Sequence, residues 1–380
     1  MKIKTFKYMN KNFELKINTI SFANLSLLVG VSGVGKTMIL QSILDLRNIS
    51  KGQSLSGVEW EIKFSIEKGE KNYLWKGAFE KSEMSEFDND FYDYEAEKLD
   101  PPHKIVYEEL YLENQLIVER KENEIKLQNK STPKLSSHKS VIYLFNEEEI
   151  IASVYKNFNK IIRSDDSNVR DIPIIDNFDK FIKKHTTIDS LQNANIPIYL
   201  KLAIAYKNKM EVFNIIKENF INVFKQVDNI KLEPLEEGDL PFFLRNSPRL
   251  QIKEKNVSKW ILQNKISSGM FKTLMQISQL FLCAESTVIL IDEFENSLGI
   301  NCIDTLTENL LYDNRDLQFI LTSHHPYIIN AIGINYWKVV SRNGGIISTK
   351  NAREYKLGKS RHEAFKQLIQ LEDYRKGIRA

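Results

Sequence analysis

The sequence predicts an α/β protein in which a mixed central sheet carries a phosphate-binding loop, with an antiparallel β region and a helical insertion attached. Three observations predict it. Gly30-Val31-Ser32-Gly33-Val34-Gly35-Lys36-Thr37 satisfies the pattern Gly-x-x-x-x-Gly-Lys-Ser/Thr in full, between an apolar run and an amphipathic stretch. Residues 58–81 alternate apolar and polar side chains, as in Val58-Glu59-Trp60-Glu61-Ile62-Lys63-Phe64, the pattern of a half-buried antiparallel sheet. Two further apolar runs, 286–291 and 317–323, end in polar groups, Asp292-Glu293 and His324-His325. A run that is apolar throughout suits a strand buried on both faces, and ligand sites gather at the carboxyl ends of such strands.

Taken in order, residues 2–9 and 12–18 read as strands around the turn Asn10-Lys11-Asn12. Leu25-Ser26-Leu27-Leu28-Val29 is the strand that feeds the loop, and Met38 to Leu44 opens the helix after it. After residues 58–66, Lys68-Gly69-Glu70-Lys71 makes a turn and Tyr73-Leu74-Trp75 resumes the strand. The acidic stretch from Glu83 to Asp100, closed by Pro101-Pro102, reads as a surface loop. Strands return at 105–110 and 116–120, and helical patterns dominate from Glu147. A polar, helical insertion is expected over 164–208. Met210, Phe213, Ile216, Phe220, Val223, Phe224 and Val227 keep the spacing of a core-facing helix. The expected division is therefore 1–163, 164–208 and 209–380.

Composition narrows the class. With 42% hydrophobic and 27% charged residues the chain has the makings of a packed core. A formal charge of +3 does not by itself point to nucleic acid. Lysines cluster at Lys2, Lys4, Lys7 and Lys11 and at Lys253, Lys255, Lys259 and Lys265, and they read as solvated faces. Cys283 and Cys302 lack metal-ligand spacing and are expected to be reduced core residues. The N-terminus has no sustained apolar stretch, and no run reaches the length of a bilayer-spanning helix. The expectation is a cytoplasmic protein with no membrane contact.

The chemistry of the candidate site comes from residue type. A glycine loop before a helix offers backbone N–H groups to an anion, and its glycines let the main chain wrap a phosphate. Gly30, Ser32, Gly33, Val34, Gly35, Lys36, Thr37 and Met38 are the candidate binding residues. Lys36 would reach the β- and γ-phosphates of ATP, and the Thr37 hydroxyl would hold Mg²⁺. Asp292, at the end of an apolar strand, is the second Mg²⁺ candidate, and Glu293 would polarise the attacking water. Ser267-Ser268-Gly269 opens another amphipathic helix, whose positive end could meet an anion. His324 is the candidate sensor of the γ-phosphate. His325 is the weaker choice, because Pro326 forces the chain to turn.

Phosphate loop, serine–glycine helix start, Asp-Glu strand and strand-terminal histidine, in that order, resemble the head of an ABC-type ATPase. The resemblance implies a P-loop NTPase fold of that head type. In Ile266-Ser267-Ser268-Gly269-Met270, Ser267 and Gly269 match the serine and second glycine of the family signature, and Ser268 replaces the first glycine. Glu295-Asn296-Ser297-Leu298-Gly299 stands where the D-loop would be, and no glutamine near 130–150 comes after a strand as the glutamine loop would. The chain looks most like stand-alone heads related to the overcoming-lysogenization-defect ATPases, on Ile105 to Arg120, Asp292 to Gly299, Thr322 to Asn330 and Ser360 to Gly377. No Toprim domain is expected after the histidine strand, and no long coiled coil between the ATPase halves.

The resemblance also implies a homodimer or larger homo-oligomer closing around two ATP·Mg²⁺ complexes. Each site would take Lys36, Thr37, Asp292, Glu293 and His324 from one subunit, and Ser267 and Gly269 from the other. It further implies the ATPase subunit of a two-gene anti-phage system of the PARIS or Septu type. Such a subunit would restrain a separate effector, a Toprim-like or HNH nuclease, until DNA or a phage protein triggers it. The alternative is a DNA-binding clamp ATPase of the SMC-like repair or maintenance type.

Overall fold

The computed structural model describes residues 1–66, 69–81, 102–122, 124–164, 178–234, 247–295, 315–358, 361–375 and 377. They form two compact units. The first comprises Met1–Ile162, Ser286–Leu290 and Asp316–Ala380, and the second Arg163–Glu285 and Ile291–Arg315.

In chain order the strands are β1 (Lys2–Asn10), β2 (Leu15–Ser21), β3 (Leu25–Val29), β4 (Val58–Ile66), β5 (Lys71–Phe79) and β6 (Ile105–Leu112). Next come β7 (Gln115–Lys121), β8 (Glu124–Leu127), β9 (Lys130–Ser131), β10 (Ile161–Arg163), β11 (Val227–Glu233) and β12 (Arg249–Glu254). The last are β13 (Trp260–Leu262), β14 (Val288–Ile291), β15 (Gln318–Ser323), β16 (Trp337–Asn343) and β17 (Ile346–Asn351).

One fourteen-stranded sheet, in the order β10-β14-β15-β3-β16-β17-β2-β1-β4-β5-β6-β7-β8-β9, organises the first unit. It is mixed as expected. β3 lies parallel to β15 on one side and to β16 on the other, while β4 to β9 pair antiparallel in succession. All five residues of β3 are buried, which suits a strand covered on both faces. In β4 the pattern is Val58, Trp60, Ile62 and Phe64 in, Glu59, Glu61 and Lys63 out, the alternation read from the sequence. The antiparallel region is continuous with the central sheet, since β1 pairs with both β2 and β4.

The core of the antiparallel region is aromatic. Trp60 and Trp75 meet edge to face with ring centroids 5.2 Å apart, and Phe158, from the helix Glu149–Phe158, packs on Trp75 at 5.1 Å and on Phe64 at 5.3 Å. Beneath this cluster Glu108 is fully buried. It accepts from Trp75 Nε1 and from the Val141 amide, each at 2.9 Å. Burial pushes its carboxyl up to about 7, against the pull of the Arg120 charge. Arg120 in turn donates to the carbonyls of Ser136 and Lys139 at 3.2 and 2.9 Å.

The second unit contains a three-stranded antiparallel sheet, β11-β12-β13, packed with helices. The sequence reading missed it and ran the preceding helix through Val227. The helix ends at Val223, and Val227 starts β11. The cause is a register shift between Val227 and Asn229, which breaks the two-residue alternation that would have marked a strand. Three helices, Phe178–Lys184, Ile188–Gln192 and Ile198–Lys207, occupy the described part of the expected insertion. They belong to one unit with the later helices Glu211–Val223 and Ser268–Leu282, so the insertion is not a separate body. At the other end of the chain's first hairpin, β2 begins at Leu15, three residues later than expected, because residues 11–14 form the turn. The acidic stretch 83–100, Cys302 and residues 296–299 lie outside the described residues. No helix among the described residues is long and apolar enough to cross a membrane.

Glu108→Ala is expected to lower the unfolding free energy by about 3 kcal/mol, because it leaves the Arg120 charge and two donors buried without their acceptor. Urea denaturation would measure this, and an unchanged midpoint would contradict the assigned role.

Candidate functional site

The phosphate loop connects β3 to the helix Lys36–Ser50. That helix opens on a glycine. Its N-cap is Gly35, in the left-handed region at φ 95°, no side chain caps it, and its first turn holds no acidic residue. By contrast, Ser267 caps the helix Ser268–Leu282, accepting from Met270 N at 3.2 Å, and His325 Nδ1 caps Pro326–Ile332, accepting from Tyr327 N at 3.3 Å. A helix start that carries neither cap nor carboxylate suits an external anion.

Glycine is required at position 35 for two reasons. Its φ is costly for any other residue, and an added Cβ would collide with Cδ1 of Ile347, on β17. Lys36 folds back over the loop, donating to the carbonyls of Gly30 at 2.7 Å and Val31 at 2.9 Å. Its ammonium therefore sits over the loop's own main chain, where a phosphate would be met. Ser32, Gly33 and Thr37 are exposed, whereas Val34 and Gly35 are buried and anchor the loop. The C-terminal segment supports the loop from beneath. Gly377 accepts from the Arg342 amide at 2.6 Å, and a side chain at Gly377 would run into Val34. The sequence reading did not foresee this support, since nothing in the local pattern ties a C-terminal glycine to residue 34.

His324 lies at the same end of the sheet. Ser323 pairs with Val29 across β15 and β3, so the residues just beyond each strand, His324 and Gly30, leave the sheet side by side. His324 is exposed, while His325 is committed to its helix cap.

The remaining candidates belong to the second unit. Asp292 comes directly after β14. Its carboxylate is largely buried and lies 3.7 Å from Nη2 of Arg163, at the end of β10. Arg163 was not singled out from sequence, because the short strand β10 carries too little pattern to place it. Glu293 is exposed and holds φ 45°. A bulky non-glycine residue in that region is uncommon, and such strain gathers at functional positions. Ser267 and Gly269 open the helix Ser268–Leu282, the Ser267 hydroxyl serving as its cap. The opposite end of that helix is held by cations, as its dipole favours: Lys201 Nζ donates to the Leu282 carbonyl at 3.2 Å and Arg315 Nη2 to the Cys283 carbonyl at 2.7 Å. Burial pulls the Lys201 amine down to about 8.

Among the described residues no cluster of three His, Cys, Asp or Glu side chains could hold a metal by protein ligands alone. The Thr37 hydroxyl in the first unit and the Asp292 carboxylate in the second are each hard oxygen donors. They suit Mg²⁺, which takes its other ligands from phosphate and water.

A strand–glycine loop–helix unit on a mixed sheet, with a histidine strand end beside it, defines a P-loop NTPase. The chain belongs to the family described as AAA domain, putative AbiEii toxin, Type IV TA system, whose model matches residues 25–330. Over 150 residues, 36% of the chain, it is 27% identical to the chromosome partition protein Smc of Methanocaldococcus jannaschii, of whose length it covers 12%. Among solved structures it is similar to an Smc head bound to the C-terminal winged-helix domain of ScpA, with a TM-score of 0.50 at 14% identity, covering 92% of this chain and 97% of that one. It is also similar to an Smc head with an extended coiled coil bound to the C-terminal domain of ScpA from Pyrococcus furiosus, with a TM-score of 0.49 at 11% identity, covering 93% and 98%. The fold is that of an Smc-type ATPase head.

Gly35→Ala is expected to weaken ATP binding by at least about tenfold, since the new methyl group must displace Ile347 or the loop. Calorimetric titration of the variant against the wild type checks this. Equal affinity would show that the loop geometry does not form the site.

Proposed function

We propose that the chain binds and hydrolyses ATP, dimerises around it, and acts as the sensor and regulator subunit of an anti-phage defence complex that controls a separate effector. The observation that carries the nucleotide reading is the uncapped, carboxylate-free start of the helix Lys36–Ser50, with Lys36 folded over the loop. Support for a defence role comes from the family description, which names a putative AbiEii toxin and a type IV toxin–antitoxin system.

In this reading Gly30, Ser32, Gly33, Val34, Gly35 and Met38 shape the phosphate cradle and Lys36 neutralises the β- and γ-phosphates. Mg²⁺, held by Thr37 and Asp292, supplies charge to the phosphate oxygens when bound. Glu293 orients water and accepts its proton as oxygen bonds to the γ-phosphorus and the bond to the ADP oxygen breaks. His324 contacts the γ-phosphate and reports its presence. Ser267 and Gly269 cap the γ-phosphate of the partner's ATP, so that ADP formation loosens the dimer. Closure by ATP is then a population shift that DNA or a phage protein can bias. The effector is a Toprim-like or HNH nuclease, as in systems of the PARIS or Septu type.

A second reading is favoured by the identity to a chromosome partition protein: a DNA-binding clamp of the repair or maintenance type that works without an effector. ATP-stimulated duplex binding with a steep salt dependence would select it over the first.

Glu293→Gln is expected to bind ATP, to lose at least about a hundredfold in hydrolysis rate, and to accumulate as an ATP-dependent dimer. Light scattering after gel filtration, with and without ATP, together with phosphate release, tests both points. Normal turnover by this variant would remove Glu293 from the mechanism, and a monomer under all conditions would remove the dimer.

A further inference from the structure

The sheet β11-β12-β13, the helix Glu211–Val223 and the residues before that helix line an open pocket of about 280 Å³ within the second unit. One face of that sheet is apolar and closed: Ile230, Leu232, Leu250 and Ile252 are fully buried. The other face is basic and aromatic. Asn229 pairs with Lys253 and Lys253 with Trp260, so these three side chains share a face, joined by Lys231 two residues along β11. Lys231 Nζ sits 4.6 Å from the centroid of the Trp260 ring and Lys253 Nζ 5.7 Å. Glu233, at the end of β11, holds Lys231 at 2.9 Å and takes the Tyr206 hydroxyl at 2.7 Å, which fixes both at the pocket wall.

Lys209, Lys217 and Lys231 line the pocket, and among the described residues no carboxylate does. Lys209 and Lys217 have no ion-pair partner among the described residues. Two amines without counter-charge, Lys209 and Lys217, beside flat aromatic surface and the Asn229 amide, match a ligand that joins an anion to a planar ring able to hydrogen-bond at its edge. The pocket falls just below the range for small-molecule sites, about 300–1,000 Å³, which limits it to one such unit. A base inside a duplex cannot enter a concavity of this kind without leaving its stack. Lys253, read from sequence as part of a solvated face, belongs to this surface.

We propose that this pocket binds a single nucleotide unit, either free or exposed on a single strand, with phosphate against Lys209, Lys217 and Lys231 and the base against Trp260. Phosphate-tracking lysines beside a stacking aromatic residue are the arrangement by which single strands are held. The site is distinct from the phosphate loop and does not depend on the reading given to that loop.

The protein reports on the pocket directly. Trp60, Trp75 and Trp337 are buried at 2%, 0% and 1% exposure, so Trp260 is the partly exposed indole that a ligand can quench. The titration is made on Lys36→Ala, which removes binding at the phosphate loop, with AMP, with a short oligothymidylate and with polyglutamate as separate probes. Quenching by AMP identifies a free nucleotide, and quenching by oligothymidylate alone identifies a single strand. For the strand, the two unpaired lysines predict a log–log salt slope of about −1.4. Lys209→Glu combined with Lys217→Glu is expected to weaken binding by at least about tenfold while ATP binding at an intact phosphate loop persists. Trp260→Ala, examined by anisotropy of a labelled strand or by calorimetry with AMP, is expected to cost about tenfold. The proposal is overturned if neither AMP nor the strand quenches, if the double lysine variant binds as the parent does, or if polyglutamate quenches equally, which would mark an acidic-peptide surface instead.

Discussion

The first turn of the helix Lys36–Ser50 is the constraint on which the rest depends. The opening N–H groups of any helix lack intrahelical partners, and proteins supply side-chain oxygens to meet them. Here Gly35 offers none, and no aspartate or glutamate enters the first turn. Elsewhere in the same chain Ser140, Thr187, Ser267 and His325 each cap the helix they precede. Glu148, Pro197 and Met210 likewise leave their helices without a side-chain cap; what sets the start at Gly35 apart is its left-handed glycine together with a cationic side chain, Lys36, turned back over the loop. An anion that accepts from those N–H groups and from Lys36 at once would complete the turn.

Much of the first unit serves to present that turn. β3 is held between β15 and β16 by parallel pairing, which fixes the level at which the chain leaves the sheet. The same register brings His324 out beside Gly30. Ile347 and Gly377 then pack against the loop so closely that a Cβ at Gly35 would meet the Ile347 side chain and one at Gly377 the Val34 side chain. Gln318 ties the neighbouring strands together, donating to the carbonyls of Ile3 and Ala23 and accepting from the Ile3 amide. The antiparallel half of the sheet contributes rigidity through its aromatic core and the Glu108 network, at a distance along the sheet from the chemistry.

The features legible in the sequence were those that depend on local pattern. β3, the phosphate loop and its helix, the alternation of β4 and β5, and the apolar runs of β14 and β15 can each be read within a window of a few residues. So can the turn at His325-Pro326, because Pro326 at the start of a helix leaves its predecessor as the cap. The sheet β11-β12-β13 was hidden by its bulge, and with it the row Asn229, Lys253 and Trp260, which exists only across strands. Arg163 beside Asp292 and Gly377 beneath Val34 are long-range meetings that no spacing encodes.

The family and the fold make the chain a P-loop NTPase, and the residues of its loop are the ones proposed to hold phosphate. The most direct measurement is calorimetric titration of the wild-type chain with ATP, ADP and adenosine in the presence of Mg²⁺. If the loop at Gly35 and Lys36 is the site, affinity comes from the phosphates: ATP and ADP bind and adenosine does not. Binding of adenosine as tight as that of ATP, or no binding of ATP at all, would contradict the account.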